Sequence, residues 1–180
     1  MVYVFLANGF EEIEALAPVD ILRRGGVEVK TVGIGSKTVT GSHGIGVLCD
    51  LSEDEAELDN MSAAVLPGGM PGTINLEKSE TVRRAINNAA ESGKLIGAIC
   101  AAPSILGKMG LLKGKKATCF PGFEKHLSGA VLSDLPAVKD GNIITACGAG
   151  AALDFGFCLL GAIKGGEAAG KLGCDMKYNR

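Results

Sequence analysis

Four short runs of apolar, β-forming residues, three leading through a turn toward a helical pattern and one into a Gly-rich excursion, constrain this chain more than anything else in it. VYVFLA spans residues 2–7, VEVKTVGI 27–34, AAVLPGG 63–69 and LIGAIC 95–100. Runs with so little polar alternation suit strands buried on both faces. The first is followed by EEIEALAPVDILRRGG, with Ile13, Leu16, Ala17, Val19, Ile21 and Leu22 at helical spacing. Carboxylates open this segment, arginines close it and Gly25-Gly26 stops it, which matches charge to the helix dipole. Pro18 predicts a bend or a restart. SETVRRAINNAAESGK (79–94) reads as a helix capped by Ser79, AAPSILGKMG (101–110) as another, and ALDFGFCLLGAIKGG (152–166) as a closing helix with a second short one in the tail. KTVTGSHGIGVLCD (37–50) has the Gly-rich look of an excursion or hairpin. KKATCF (115–120) reads as a further strand, and Asp140-Gly141 marks a two-residue hairpin.

Strand and helix in alternation predict an α/β fold, a doubly wound parallel sheet sandwiched by helices, in one domain over 1–180. Sites in such sheets lie beyond the carboxyl ends of the strands. Three ends carry chemistry: Asn8-Gly9 leading into Glu11, Glu12 and Glu14; Pro67-Gly68-Gly69; and Cys100-Ala101-Ala102-Pro103. The right-handed crossover rule gathers them at one edge.

Several function classes are disfavoured. Eighteen basic against 20 acidic residues give a net charge of -2, with no basic footprint for nucleic acid or an anionic membrane. Without Trp, and with 2 Tyr and 6 Phe, no stacking platform for single strands is expected. Cys49, Cys100, Cys119, Cys147, Cys158 and Cys174 contain no CxxC pair, and His43 and His126 stand apart, so the spacing shows no metal motif. The opening MVYVFLANGFEEIE lacks a basic n-region, and Leu95 to Gly107 is too short an uncharged run to span a bilayer. The expectation is a cytoplasmic protein with reduced thiols, most of them small buried hydrophobes.

Cys100 sits where strand turns to helix. There a thiol meets orphan N–H groups and the positive end of a helix, which favour its thiolate, and such turns serve as nucleophile elbows. A small residue at a crowded turn gives the same pattern, so local physics leaves nucleophile and filler both open. Gly68-Gly69 either brings N–H groups to an oxyanion or simply ends a strand. Glu11 and Glu12 are expected on a solvated helix face; Glu14, nearly opposite Glu12, is able to turn inward, although taken alone it reads as a surface charge. A buried Glu beside a thiol would be protonated and able to relay a proton.

NGFEEIEALAPVDILRRGG, VLPGGMPGTINL, GAICAAPSIL, ATCFPGFEKHL and GAGAALDFGFCLLGAI, in that order along the whole chain, resemble the ThiJ/PfpI superfamily, in its "DJ-one"/YajL-like branch. The resemblance implies a flavodoxin-like, class I glutamine amidotransferase-like fold, a homodimer and no cofactor or metal. It also implies a redox-sensitive nucleophile at Cys100 with Glu14 as the acid bonded to it, and backbone donors at Gly68, Gly69 and Ala101. The activity implied is a cysteine-dependent glyoxalase or deglycase acting on methylglyoxal, glyoxal and their early protein or nucleotide adducts. The alternative is an oxidative-stress sensor or holdase chaperone working through the same cysteine.

The departures bear on this. Ala101 stands where the protease-like branch has a histidine, so no dyad of that kind forms. Phe120 stands where a histidine is found in the parkinsonism-associated member, and Cys147, Ala149 and Ala151 also depart from the commoner residues. His43 occupies the place of a dimer-contacting arginine and is a candidate to reach the partner's site; Cys119 and Phe120 are candidates for the pocket. His126, six residues on, is expected out of reach of Cys100. An amidotransferase-type hydrolase requires a downstream His-x-Glu, which neither histidine supplies.

Overall fold

The computed structural model describes residues 1–178. Its centre is a seven-stranded sheet of β1 (Val2–Ala7), β2 (Val29–Ile34), β5 (Leu51–Ser52), β6 (Ala63–Leu66), β7 (Leu95–Ile99), β10 (Ala137–Asp140) and β11 (Ile143–Ala146), in the order β10-β11-β7-β6-β1-β2-β5. All neighbours are parallel except β10 and β11, the hairpin at Asp140-Gly141. The flavodoxin-like α/β architecture is therefore the one expected. Strands β3 (Thr38–Thr40) and β4 (Gly46–Leu48) pair separately as the anticipated hairpin.

Every residue of β1 is buried, because both of its faces are covered. Val2, Val4 and Leu6 face Ala15, Val19, Ile21 and Leu22 of α1 (Glu12–Arg24) and Phe155, Leu159 and Leu160 of α5 (Ala152–Lys164). Tyr3, Phe5 and Ala7 belong to the opposite core, with Leu76 of α2 (Gly72–Lys78), Val82, Ala85, Ile86 and Ala89 of α3 (Glu80–Glu91), and Ile105 and Leu106 of α4 (Pro103–Lys108). Each large side chain so buried contributes roughly 1.5–3 kcal/mol. The tail forms α6 (Gly166–Asp175). Among the described residues, no helix is long and apolar enough to cross a membrane.

Two expectations need correction. Helix α1 runs Glu12–Arg24 without restarting at Pro18, which is buried inside it. A Cβ on Gly156 of α5 would lie 3.2 Å from Pro18 Cα and 2.6 Å from Ile21 Cδ1, so close packing against α5 carries the helix past its missing hydrogen bond. KKATCF shrinks to β8 (Lys116–Ala117), paired with β9 (Val131–Leu132) outside the main sheet. The rest of that segment uses its amides differently: Thr118 N–H donates to Thr145 Oγ1 at 2.9 Å and Phe120 N–H to Cys100 O at 2.8 Å.

Candidate active site

β7, β6 and β1 are adjacent, so the ends that follow Ile99, Leu66 and Ala7 lie side by side. Cys100 follows β7 directly with φ of 65°, a left-handed conformation that costs a non-glycine residue roughly 1–2 kcal/mol. Its backbone is clamped from two sides: its N–H donates to Ala146 O at 2.8 Å, and its C=O accepts from Phe120 N–H. The residue is partly exposed.

Glu14 enters from the first turn of α1 and is 1% exposed. Its carboxyl is hydrogen-bonded to the Cys100 thiol, and Glu14 Oε2 accepts from Gly68 N–H at 3.0 Å. Burial pushes the Glu14 carboxyl up to about 7, aided by the nearby Glu11 charge and opposed by the bonds from Cys100 and Gly68. N–H groups of Gly69 and Ala101 donate to the Cys100 sulfur and favour its thiolate, but burial and the Glu14 charge outweigh them and push the thiol up to about 12. The helix end does not win as the sequence suggested, since α4 is six residues long and starts at Pro103. Burial is the largest cause of the raised thiol and the Glu14 charge adds to it; protonating Glu14 removes only that second contribution.

The glycines are there for space. A Cβ on Gly68 would lie 2.6 Å from both Cys100 Cβ and Glu14 Oε2. On Gly69, whose φ is 89°, it would lie 2.4 Å from Glu11 N. Gly68 N–H is directed at the acid rather than the thiol, while Gly69 and Ala101 serve the sulfur.

Phe120 is 47% exposed, and its ring lies over Gly148, where a Cβ would be 3.2 Å from Phe120 Cδ2. Phe120, Pro121, Pro136 and Cys147 border a surface cavity of about 440 Å³. Cys119 is buried and borders an adjoining cavity of about 340 Å³ that Cys147 also lines. His126 lies in the turn Glu124–His126, its carbonyl against Gly107 of α4 and its ring against Phe123. His43 is far from solitary: its Nδ1 lies 2.8 Å from Glu12 Oε2.

Glu12 is the residue the sequence misplaced. Expected in solvent, it is 5% exposed under the β3–β4 hairpin, where its Oε1 accepts from His43 N–H at 2.8 Å and Ile45 N–H at 3.4 Å. Burial pushes its carboxyl up, but the His43 and Ile45 bonds pull harder and hold it down at about 2. His43 is correspondingly raised by its bond to Glu12. The Glu12 pairing, and the Ala146 and Phe120 clamps on Cys100, join residues tens of positions apart and left no local signal.

The DJ-1/PfpI family profile matches residues 1–162. The chain belongs to the DJ-1/PfpI family. This DJ-1/PfpI protein is similar to protein dj-1beta of Drosophila melanogaster, 36% identical over 181 residues that cover 98% of this chain and 97% of that one. It is similar to a deglycase of Pyrococcus horikoshii, 35% identical over 143 residues, 77% of this chain and 84% of the relative. The solved structure of oxidized Toxoplasma gondii DJ-1 superposes with a TM-score of 0.95 at 31% identity, covering 99% of this chain and 98% of the other.

Proposed function

We propose that this DJ-1/PfpI protein is a deglycase-type enzyme that uses Cys100 as a nucleophile on methylglyoxal, glyoxal or the early adducts they form with proteins and nucleotides. The observation that carries this reading is the buried Glu14 carboxyl bonded to both Gly68 N–H and the Cys100 thiol. A group titrating near 7 beside a nucleophile suits proton transfer in both directions. The deglycase relative supports the same class of chemistry.

Glu14 takes the thiol proton as sulfur bonds to the aldehyde carbon and the carbonyl electron pair moves onto oxygen. Gly69 and Ala101 N–H groups face the reacting centre and stabilise the charge developing there. The oxyanion takes the proton from Glu14, giving a thiohemiacetal. Glu14 carboxylate then removes the proton on the former aldehyde carbon and returns it to the neighbouring carbon, while the hydroxyl proton passes from the first oxygen to the second through the intermediate enediol, so the first carbon is oxidised as the second is reduced. Water cleaves the resulting thioester, and methylglyoxal leaves as lactate.

Purified protein with methylglyoxal is expected to form lactate, Cys100→Ser to form none above background, and Glu14→Gln to lose at least a hundredfold in kcat. Lactate equal in wild type and Cys100→Ser overturns the reading. The attacking form is the pair with one proton removed, so kcat/KM rises with pH through about 7.

A second reading rests on what surrounds Cys100: its bonding partners are Glu14, Gly69 and Ala101, with no imidazole among them. We infer that the thiol also registers peroxide. Its sulfur attacks one peroxide oxygen, the O–O bond breaks and water leaves, forming a sulfenic acid beside Glu14. Related DJ-1 has been solved in an oxidized form. Mass spectrometry after mild peroxide is expected to find oxygen added at Cys100 first; equal oxidation of all six thiols overturns it. The exposed apolar side chains Ile13, Ile45 and Leu48 support a homodimer, and six free thiols support a cytoplasmic setting.

A further inference from the structure

We propose that Cys147 is the resolving thiol of Cys100: after peroxide adds one oxygen to Cys100, the two cysteines close a reversible disulfide within one chain. The inference rests on the peroxide reading above and supplies the partner that reading lacks.

The sheet sets the two cysteines opposite each other. Strands β7 and β11 pair in parallel from Ile96 with Ile143 to Ile99 with Ala146, so the next partners in register are Cys100 and Cys147. Hydrogen bonds carry that register one residue past the strands. At the start of the ladder Ile96 N–H donates to Asn142 O at 2.9 Å, and with the same offset Cys100 N–H donates to Ala146 O at 2.8 Å. Neighbouring strands lie roughly 4.7–4.9 Å apart, and a disulfide forms where the Cα atoms are roughly 4.4–6.8 Å apart. One further step of this ladder falls inside that range.

Both side chains also pack against one core. Cys100 and Cys147 are partly exposed and lie against the cluster of Val4, Leu6 and the inner faces of α1 and α5. Cys119 shares a cavity with Cys147, but it is buried in the opposite core, with α3 and α4. The cavities of about 440 Å³ and 340 Å³ that Cys147 borders leave its side chain room to rotate. Neither backbone needs to move. Cys100 C=O accepts from Phe120 N–H at 2.8 Å, which ends the ladder at this pair, and Cys147 N–H donates to Pro136 O at 3.0 Å.

Peroxide first leaves Cys100 as a sulfenic acid, with water released. Cys147 sulfur then attacks the Cys100 sulfur, and the S–O bond breaks. Glu14, bonded to Cys100, gives a proton to the departing oxygen, which leaves as a second water, and the proton of the Cys147 thiol returns to Glu14 through solvent. Two small thiols reduce the bond and leave joined as their own disulfide, restoring both cysteines. A sulfenic acid with no resolving thiol goes on to sulfinic acid, which small thiols do not reverse.

Treating the full chain with mild hydrogen peroxide and mapping its peptides by mass spectrometry without reductant tests this. Wild type is expected to yield a peptide linking Cys100 to Cys147, two hydrogens lighter than its parts and split by dithiothreitol. Cys147→Ser should yield no such link and about tenfold more Cys100 sulfinic acid at the same dose, while Cys119→Ser should form the link as wild type does. Equal Cys100 sulfinic acid in wild type and Cys147→Ser, or Cys100 linked to Cys119 instead, overturns the inference and leaves the peroxide reading standing. Neither oxygen nor a disulfide at Cys100 in any of these proteins removes that reading, and the inference with it.

Discussion

Glu14 carries the pH dependence of this molecule at the scale of a single residue. Its carboxyl is raised from 4.5 to about 7, so the folded state holds its proton more tightly than the unfolded chain does. The stability linked to that proton is fully present below about 4.5 and is lost as pH rises through about 7. A shift of this size corresponds to about 3 kcal/mol at most. Glu14→Gln cannot ionise, so urea melts should show it gaining stability on wild type by about 2 kcal/mol between pH 5 and pH 8. Gly68→Ala should cost about 2 kcal/mol and most of the activity, because the added methyl falls between thiol and acid; differential scanning calorimetry and the lactate assay check both. Strand-end placement brought Cys100 into view but left filler and nucleophile open, and by itself read Glu14 as a surface charge; the pairing of the two was legible only in the family motifs. Glu12 was not, because its solvent is removed by a hairpin some 30 residues further on.

At the scale of elements, helices were legible where their ends carry chemistry. Ser79 accepts from Val82 N–H at 3.2 Å as an N-cap, and Ser79→Ala should cost about 1 kcal/mol in denaturant midpoint. Of the two outcomes Pro18 allowed for α1, the restart does not occur, and the helix is pressed against α5 there. The contact runs through Gly156, so Gly156→Val should cost about 2 kcal/mol or more, measured as a fall in Tm, by driving a branched side chain into Pro18 and Ile21. KKATCF misled in the other direction. Its residues have strand character, yet Thr118 and Phe120 give their N–H groups to Thr145 and Cys100 rather than to a sheet neighbour. Propensity describes backbone shape and leaves the partner of each amide undetermined.

For the molecule as a whole, the parallel sheet was legible because both-face burial leaves its mark as short apolar runs, most clearly in β1; the strand order was not. The proposed dimer rests on exposed apolar side chains: Ile13 on α1 and Ile45 beside the hairpin are each more than half exposed and line the same depression, with Leu48 more exposed still. Ile13→Lys combined with Leu48→Lys should convert the proposed dimer to a monomer by sedimentation equilibrium; a wild type already monomeric at high concentration would remove that proposal. The clamp on Cys100 reaches furthest of all. Position 120 contributes its backbone N–H to that clamp, and every amino acid except proline carries one. The side chain there can therefore be exchanged, histidine for phenylalanine included, while the nucleophile keeps its aim. Side-chain variation at position 120 is thereby mechanically uncoupled from the Cys100 backbone.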